Sequence, residues 1–164
     1  MTEPMGKLNA AMHLAVSDTF ASMAFMDVVP ADKATAPRPE ENLFWASLLI
    51  HDPIQSEIRL YMPEELITGM AETIYSGLAD ELGEGAKKDL IAELVNTLVG
   101  RFLGEILPPN RSFQLGLPET GLMKGAELAL FDQSWHFVAD GRSTLILTAT
   151  ELNQLQRLGT DFVI

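Results

Sequence analysis

The first long apolar segment, Leu8 to Val29, distributes Met12, Leu14, Val16, Phe20, Met23 and Phe25 around much of a helical circumference. That distribution predicts a helix packed on more than one side. Residues 1–7, with Pro4 and Gly6, read as a short flexible lead-in, and Pro30 with the run Ala36-Pro37-Arg38-Pro39 ends the helix in a loop. The aromatic and apolar run Leu43 to Ile50 then reads as a strand, turned by Asp52-Pro53 into a second strand over Ser56 to Met62, which makes a hairpin. Pro63 followed by Glu64 and Glu65 opens a helix running to about Leu82, since proline fits a first turn and carboxylates suit the positive end of the helix dipole. Gly83-Glu84-Gly85 breaks the chain, and a further helix spans Ala86 to Leu107, stopped by Pro108-Pro109.

The remainder has the pattern of strands at Ser112 to Leu117, Ala126 to Phe131, Trp135 to Ala139 and Thr144 to Thr148. Gly116, Gly121 and Gly125 read as turn residues around Pro118, and a polar turn or short helix follows over Glu151 to Leu158. Helices alternating with groups of antiparallel strands predict an α+β fold, a layered domain over residues 8–164 with long helices packed on a mainly antiparallel sheet.

The helix over 86–107 carries the polar pattern that matters most. On a 3.6-residue wheel Leu90, Ile91, Leu94, Val95, Leu98, Val99, Phe102 and Ile106 share one broad face, which must be core. Asp89, Glu93 and Asn96 stack along the opposite side at i, i+4 and i+7, where they point to solvent or to a partner. A carboxylate one turn from a carboxamide can divide labour: the first pairs with a cation on another molecule, the second both accepts and donates hydrogen bonds to a water. Gly100 and Gly104 continue the stripe, each costing about 0.5–1 kcal/mol relative to alanine in a helix interior, so a close approach by another helix or a partner backbone is expected there. Taken alone, the same stripe is also what an ordinary solvated helix face looks like, with glycines that merely relieve crowding.

Composition removes several alternatives. At 164 residues a single core can bury roughly 70% of the unfolded chain's surface, and 47% hydrophobic with 21% charged residues is the balance of a folded globular protein. A net charge of -12 argues against nucleic acid as a partner, because that affinity rests on Lys and Arg neutralising phosphates. Without cysteine there is no disulfide, thiolate nucleophile or Cys-ligated zinc. Asn9, His13, Ser17 and Asp18 interrupt the first apolar stretch, so neither a signal-peptide core nor membrane insertion is expected. His13, His51 and His136 fall in different elements, and no metal-ligand spacing, phosphate loop or Gly-x-Ser-x-Gly elbow occurs.

The segment Asp89-Leu-Ile-Ala-Glu93-Leu-Val-Asn96, followed after 21 residues by Pro118, resembles the signature of the CheC/CheX/FliY chemotaxis phosphatases: Asp or Ser, three residues, Glu, two residues, Asn, then a proline some 21 residues on. The resemblance implies a CheC-like, internally duplicated domain and a cytoplasmic protein. In the duplication Ser17, Ala21 and Ala24 sit at the spacing of Asp89, Glu93 and Asn96, so the first copy lacks Glu and Asn and single-site CheX-like members are the nearer comparison. The implied activity is hydrolysis of the aspartyl phosphate of a CheY-like receiver domain, in chemotaxis or a related two-component circuit. Glu93 and Asn96 would be catalytic, with Glu93 meeting the receiver's active-site lysine and Asn96 orienting the attacking water. Asp89 and Pro118 would support them, and Gly100 and Gly104 would contact the partner. No cofactor is expected on this chain, the Mg²⁺ belonging to the receiver. Likeness to CheX also points to a homodimer, on which composition and periodicity are silent. The rival expectation is a non-catalytic module of the same fold that docks receivers or flagellar-switch components.

Overall fold

The computed structural model describes residues 4–33, 36–75, 83–131, 133–152 and 154–155. Helix α1 (Pro4–Ala24) begins inside the segment expected to be a lead-in and ends five residues earlier than the periodicity indicates. Phe25, at φ 55°, takes the left-handed conformation that closes helices, and Val28–Pro30 is then strand β1. Only one face of α1 is buried: Leu8, Ala11, Met12, Ala15, Val16, Thr19, Phe20 and Ala24 face the core, while Leu14 and Phe25 are exposed. The expectation of packing on more than one side is therefore corrected.

The predicted hairpin forms from β2 (Asn42–Asp52) and β3 (Ser56–Pro63), paired antiparallel from Leu43↔Pro63 to Ile50↔Ser56. Helix α2 (Glu64–Ile74) follows directly, with Leu66, Ile67, Met70 and Ala71 buried; the expected continuation to Leu82 lies outside the described residues. Helix α3 (Glu84–Ile106) matches its prediction closely.

After α3 the sequence reading needs one revision. The strand expected at Ser112 to Leu117 is present as the shorter β4 (Gln114–Leu115), but the one expected at Ala126 to Phe131 is instead a 3₁₀ turn (Gly125–Glu127) and a loop, and the long pairing strand lies before it, as β5 (Glu119–Lys124). Gly121, read as a turn residue, is in mid-strand opposite Trp45, and a Cβ there would come within 2.6 Å of the indole. Gly125 is equally constrained, because a Cβ would collide with the Arg38 carbonyl oxygen. Strands β6 (Gln133–Ala139) and β7 (Ser143–Ala149) complete the sheet. Of the element expected over Glu151 to Leu158, Gln154 and Leu155 are helical and residues 156–158 lie outside the described set.

Among the described residues seven strands form one sheet, in the order β1-β6-β7-β3-β2-β4, with β5 also on β2. Every pairing is antiparallel. One face carries Phe44, Ala46, Leu48 and Ile50 from β2, Ile58, Leu60 and Met62 from β3, Trp135 and Phe137 from β6 and Leu145 and Leu147 from β7; these join the buried residues of the helices in a single core. The indole N–H of Trp135 donates to Asn9 Oδ1 at 2.9 Å, tying β6 to α1. On the other face the Arg59 guanidinium lies between Trp45 and Phe131, 4.9 and 5.2 Å from their ring centres, and pairs with Glu57 at 2.7 Å.

The topology is duplicated. Each half is a helix followed by three strands: α1, β1, β2 and β3, then α3, the interrupted strand β4–β5, β6 and β7. The last strands of the two halves, β3 and β7, pair at the sheet's centre, while each half's first strand pairs with the other half's middle strand, β1 with β6 and β5 with β2. A two-fold axis through the β3–β7 pair relates the halves, so α1 and α3 run antiparallel over the same face of the sheet.

Candidate functional site

Helix α3 is set by its ends and by its buried face. Gly83 precedes its first turn, Ala86 N–H donates to Gly83 O at 3.2 Å, and Glu84 pairs with Lys88 at 3.2 Å in the favoured i, i+4 orientation. At the far end Leu107 N–H donates to Leu103 O before the proline pair. Leu90, Ile91, Leu94, Val95, Leu98, Val99, Phe102 and Leu103 are buried against β2, α1 and β5, which fixes the rotation of the helix about its axis.

With that rotation fixed, Asp89, Glu93 and Asn96 are all exposed on the outer face. Among the described residues their side chains make no hydrogen bond or ion pair, so their polar atoms are available to another molecule. Gly100 and Gly104 continue the same stripe, and a Cβ at either would meet nothing within 4 Å. The close approach expected at these glycines is thus not made among the described residues; the space above them is open. Pro118 is half-buried in the break between β4 and β5. There β5 resumes at Glu119 opposite Ser47, so a residue without an N–H falls where the edge strand is interrupted.

Beside this stripe lies α1. Arg101 on α3 donates to Ser22 Oγ on α1 at 3.1 Å, and farther along, Leu14, Ala15 and Asp18 face Arg101 and Glu105 across a shallow groove of about 170 Å³. The residue pairing expected from the duplication does not survive. Ala24 is buried where Asn96 is exposed, so Ser17, Ala21 and Ala24 are out of phase with Asp89, Glu93 and Asn96. Making the buried positions coincide pairs Ala11 with Leu90, Met12 with Ile91, Ala15 with Leu94, Val16 with Val95, Thr19 with Leu98 and Phe20 with Val99. Leu14 then occupies the place of Glu93 and Ser17 that of Asn96. A shift of one helical turn either way, which also aligns the buried faces, puts Ala10 and His13 or Asp18 and Ala21 there instead. In none of these registers does α1 hold a Glu and Asn pair. Sequence reasoning missed the exposure of Leu14 and Phe25 because apolar residues on all sides of a helix signal burial, and only the packing shows which side is left uncovered.

The three histidines remain apart: His13 on α1 packs edge-on against Phe137 at 5.8 Å between ring centres, His51 is exposed near the end of β2, and His136 lies on β6. Among the described residues no His, Asp and Glu side chains converge as a metal-binding group. No helix among them is long and apolar enough to cross a membrane.

No protein-family model and no curated protein sequence matches the chain. Solved structures do. CheX from Vibrio vulnificus superposes with a TM-score of 0.66 at 11% identity, covering 87% of this chain and 96% of that one. The fold is that of the CheC/CheX/FliY proteins. CheC-like and FliY structures match as well. A CheX–CheY complex with BeF3 and Mg²⁺ from Borrelia burgdorferi gives 0.56 at 15% identity over 88% of this chain and 98% of that one. The middle domain of FliM from H. pylori gives 0.58 at 8% identity, with 94% and 95% covered. The CheC-like architecture and duplication inferred from the Asp89 to Pro118 motif are therefore present in the fold.

Proposed function

We propose that this protein is a phosphatase for the aspartyl phosphate of a CheY-like receiver domain, with Glu93 and Asn96 as its catalytic residues. The observation that carries the reading is the coincidence of two independent features: the motif ending in Glu93 and Asn96, and the exposure of both residues, without partners among the described residues, on a helix whose other side is buried. The likeness to a CheX solved together with CheY supports the choice of partner.

The chemistry asked of this chain is small. Phosphoryl transfer to water depends mainly on position and electrostatics, and a receiver that holds its own Mg²⁺ already stabilises much of the charge. Glu93, a carboxylate with no partner among the described residues, would take the receiver's lysine as a charge-assisted hydrogen bond. Asn96, one turn on, would accept a hydrogen bond from the attacking water and hold its oxygen in line with the phosphorus–aspartate bond, a gain in effective molarity that needs no titrating group. Asp89 extends the acidic stripe by one turn, and Gly100 and Gly104 leave room for the receiver's backbone. Pro118 would act by shaping the edge of the sheet.

The deciding measurement is phosphate release from a Mg²⁺-loaded phosphorylated receiver. Wild type should accelerate it, and Glu93→Ala and Asn96→Ala should each lose roughly 10²-fold of that acceleration with the fold intact, the scale on which misplacing a reacting group acts. A second reading, docking without turnover, is favoured by the likeness to the FliM middle domain. Binding of the phosphorylated receiver without acceleration would establish it. Size-exclusion with light scattering tests the homodimer implied by the likeness to CheX.

A further inference from the structure

Phe25 closes α1 in a conformation that glycine adopts freely and a bulky residue does not: its φ is 55°. Such strain is ordinarily offset by burial, yet this ring is 76% exposed. Nor is the position loose. Met26 N–H donates back to Phe20 O at 3.2 Å, Asp27 N–H donates to Asp140 Oδ1 at 2.9 Å, and Asp140 N–H donates to Asp27 O at 2.8 Å, so the chain is clamped on both sides of the ring. Among the described residues nothing accounts for a held, strained and uncovered aromatic.

Its location supplies one. The Arg101–Ser22 hydrogen bond fixes the level of α1 against α3. Because the helices are antiparallel, three residues beyond Ser22 on α1, or about 4.5 Å at 1.5 Å per residue, is level with three residues before Arg101 on α3. That places Phe25 at the height of Leu98, between Asn96 and Gly100 on the neighbouring helix. Resting on the phosphatase reading above, we infer that Phe25 is an apolar anchor for the receiver domain, engaging the surface beside its phosphorylation site while Glu93 and Asn96 engage the site itself. The open space over Gly100 lets one partner span both helices, and a preformed anchor on a clamped turn loses little freedom on binding.

The test compares wild type with Phe25→Gly and Phe25→Leu, following receiver-phosphate hydrolysis and equilibrium binding of a receiver loaded with Mg²⁺ and BeF3. Phe25→Gly removes the ring and the backbone strain together, so its thermal midpoint should not fall, while KM and Kd rise roughly tenfold, as for loss of an aromatic interface anchor, and kcat stays unchanged. Phe25→Leu should recover much of the affinity. Active wild type with Phe25→Gly of unchanged KM and Kd overturns the anchor and leaves the phosphatase reading standing. A change in self-association alone, with receiver affinity untouched, overturns it in favour of a contact between copies. Wild type that neither binds nor accelerates any receiver overturns both.

Discussion

Trp45 on β2 covers Gly121 on β5 so closely that a Cβ on the glycine would lie 2.6 Å from the indole ring. The same indole stacks on the Arg59 guanidinium, so it cannot retreat without disturbing the Glu57–Arg59 pair. Gly121→Ala should therefore destabilise the fold by about 1–3 kcal/mol, the ordinary cost of forcing a side chain into occupied space. In urea the midpoint should fall with the slope unchanged.

Gly100 and Gly104 should behave oppositely. Nothing within 4 Å awaits a methyl group at either, so alanine should stabilise α3 by roughly 0.5–1 kcal/mol per site through helix propensity alone. If the glycines are kept for a partner's backbone, the stabilised double variant should accelerate receiver dephosphorylation less than wild type does, with the loss in KM. Thermal melts and steady-state kinetics on one preparation check both halves.

Asn9 accepts the hydrogen bond of the buried Trp135 indole N–H, and it lies one turn before His13 on the same helix. Asn9→Leu should cost about 1–3 kcal/mol, because it leaves a buried donor unsatisfied, whereas Asn9→Asp retains an acceptor and should cost less. Chemical denaturation near neutral pH separates the two.

Burial against Phe137 holds the His13 imidazole below its usual pKa of 6.5. The folded state then binds fewer protons than the unfolded state in that range. The contribution of a neutral His13 is present above the unfolded value and is lost as pH falls through the folded one. Between about pH 7.5 and pH 5, wild type should lose more stability than His13→Gln, and parallel denaturation curves at the two values measure the difference.

Helix α3 was legible because eight apolar positions at helical spacing leave one rotation available, and that rotation exposes Asp89, Glu93 and Asn96 whatever the rest of the fold does. The central strands were legible for a similar reason, being short β-branched and aromatic runs bounded by turn residues. Strand β5 was not, since Pro118, Gly121 and Gly125 carry local turn signals and the reason for Gly121 is a tryptophan 76 positions earlier in the chain. Strand β1 was hidden because Val28 and Val29 continue the apolar pattern of α1, and the break at Phe25 is a backbone event that its side chain does not announce. The roles of Leu14 and Phe25 depend on which side of α1 the sheet covers, a long-range fact.

The exchange of first strands between the two halves bears on how the protein assembles. Neither half owns all the strands that flank its own β-hairpin or β-strand pair: β1 lies on β6, and β5 on β2. Cleavage between α2 and α3 should leave two fragments, each with a bare sheet edge and an uncovered apolar helix face, that are unstructured or aggregating apart and fold on mixing. In the intact chain the edges close only after contacts between residues far apart in the sequence, such as Val28 with Ala139 and Asn42 with Lys124, so the outer strands are expected to be the last to lock and the two helices to reach their final level together. The single Glu93 and Asn96 surface on α3 thus depends for its setting on the half that lacks one.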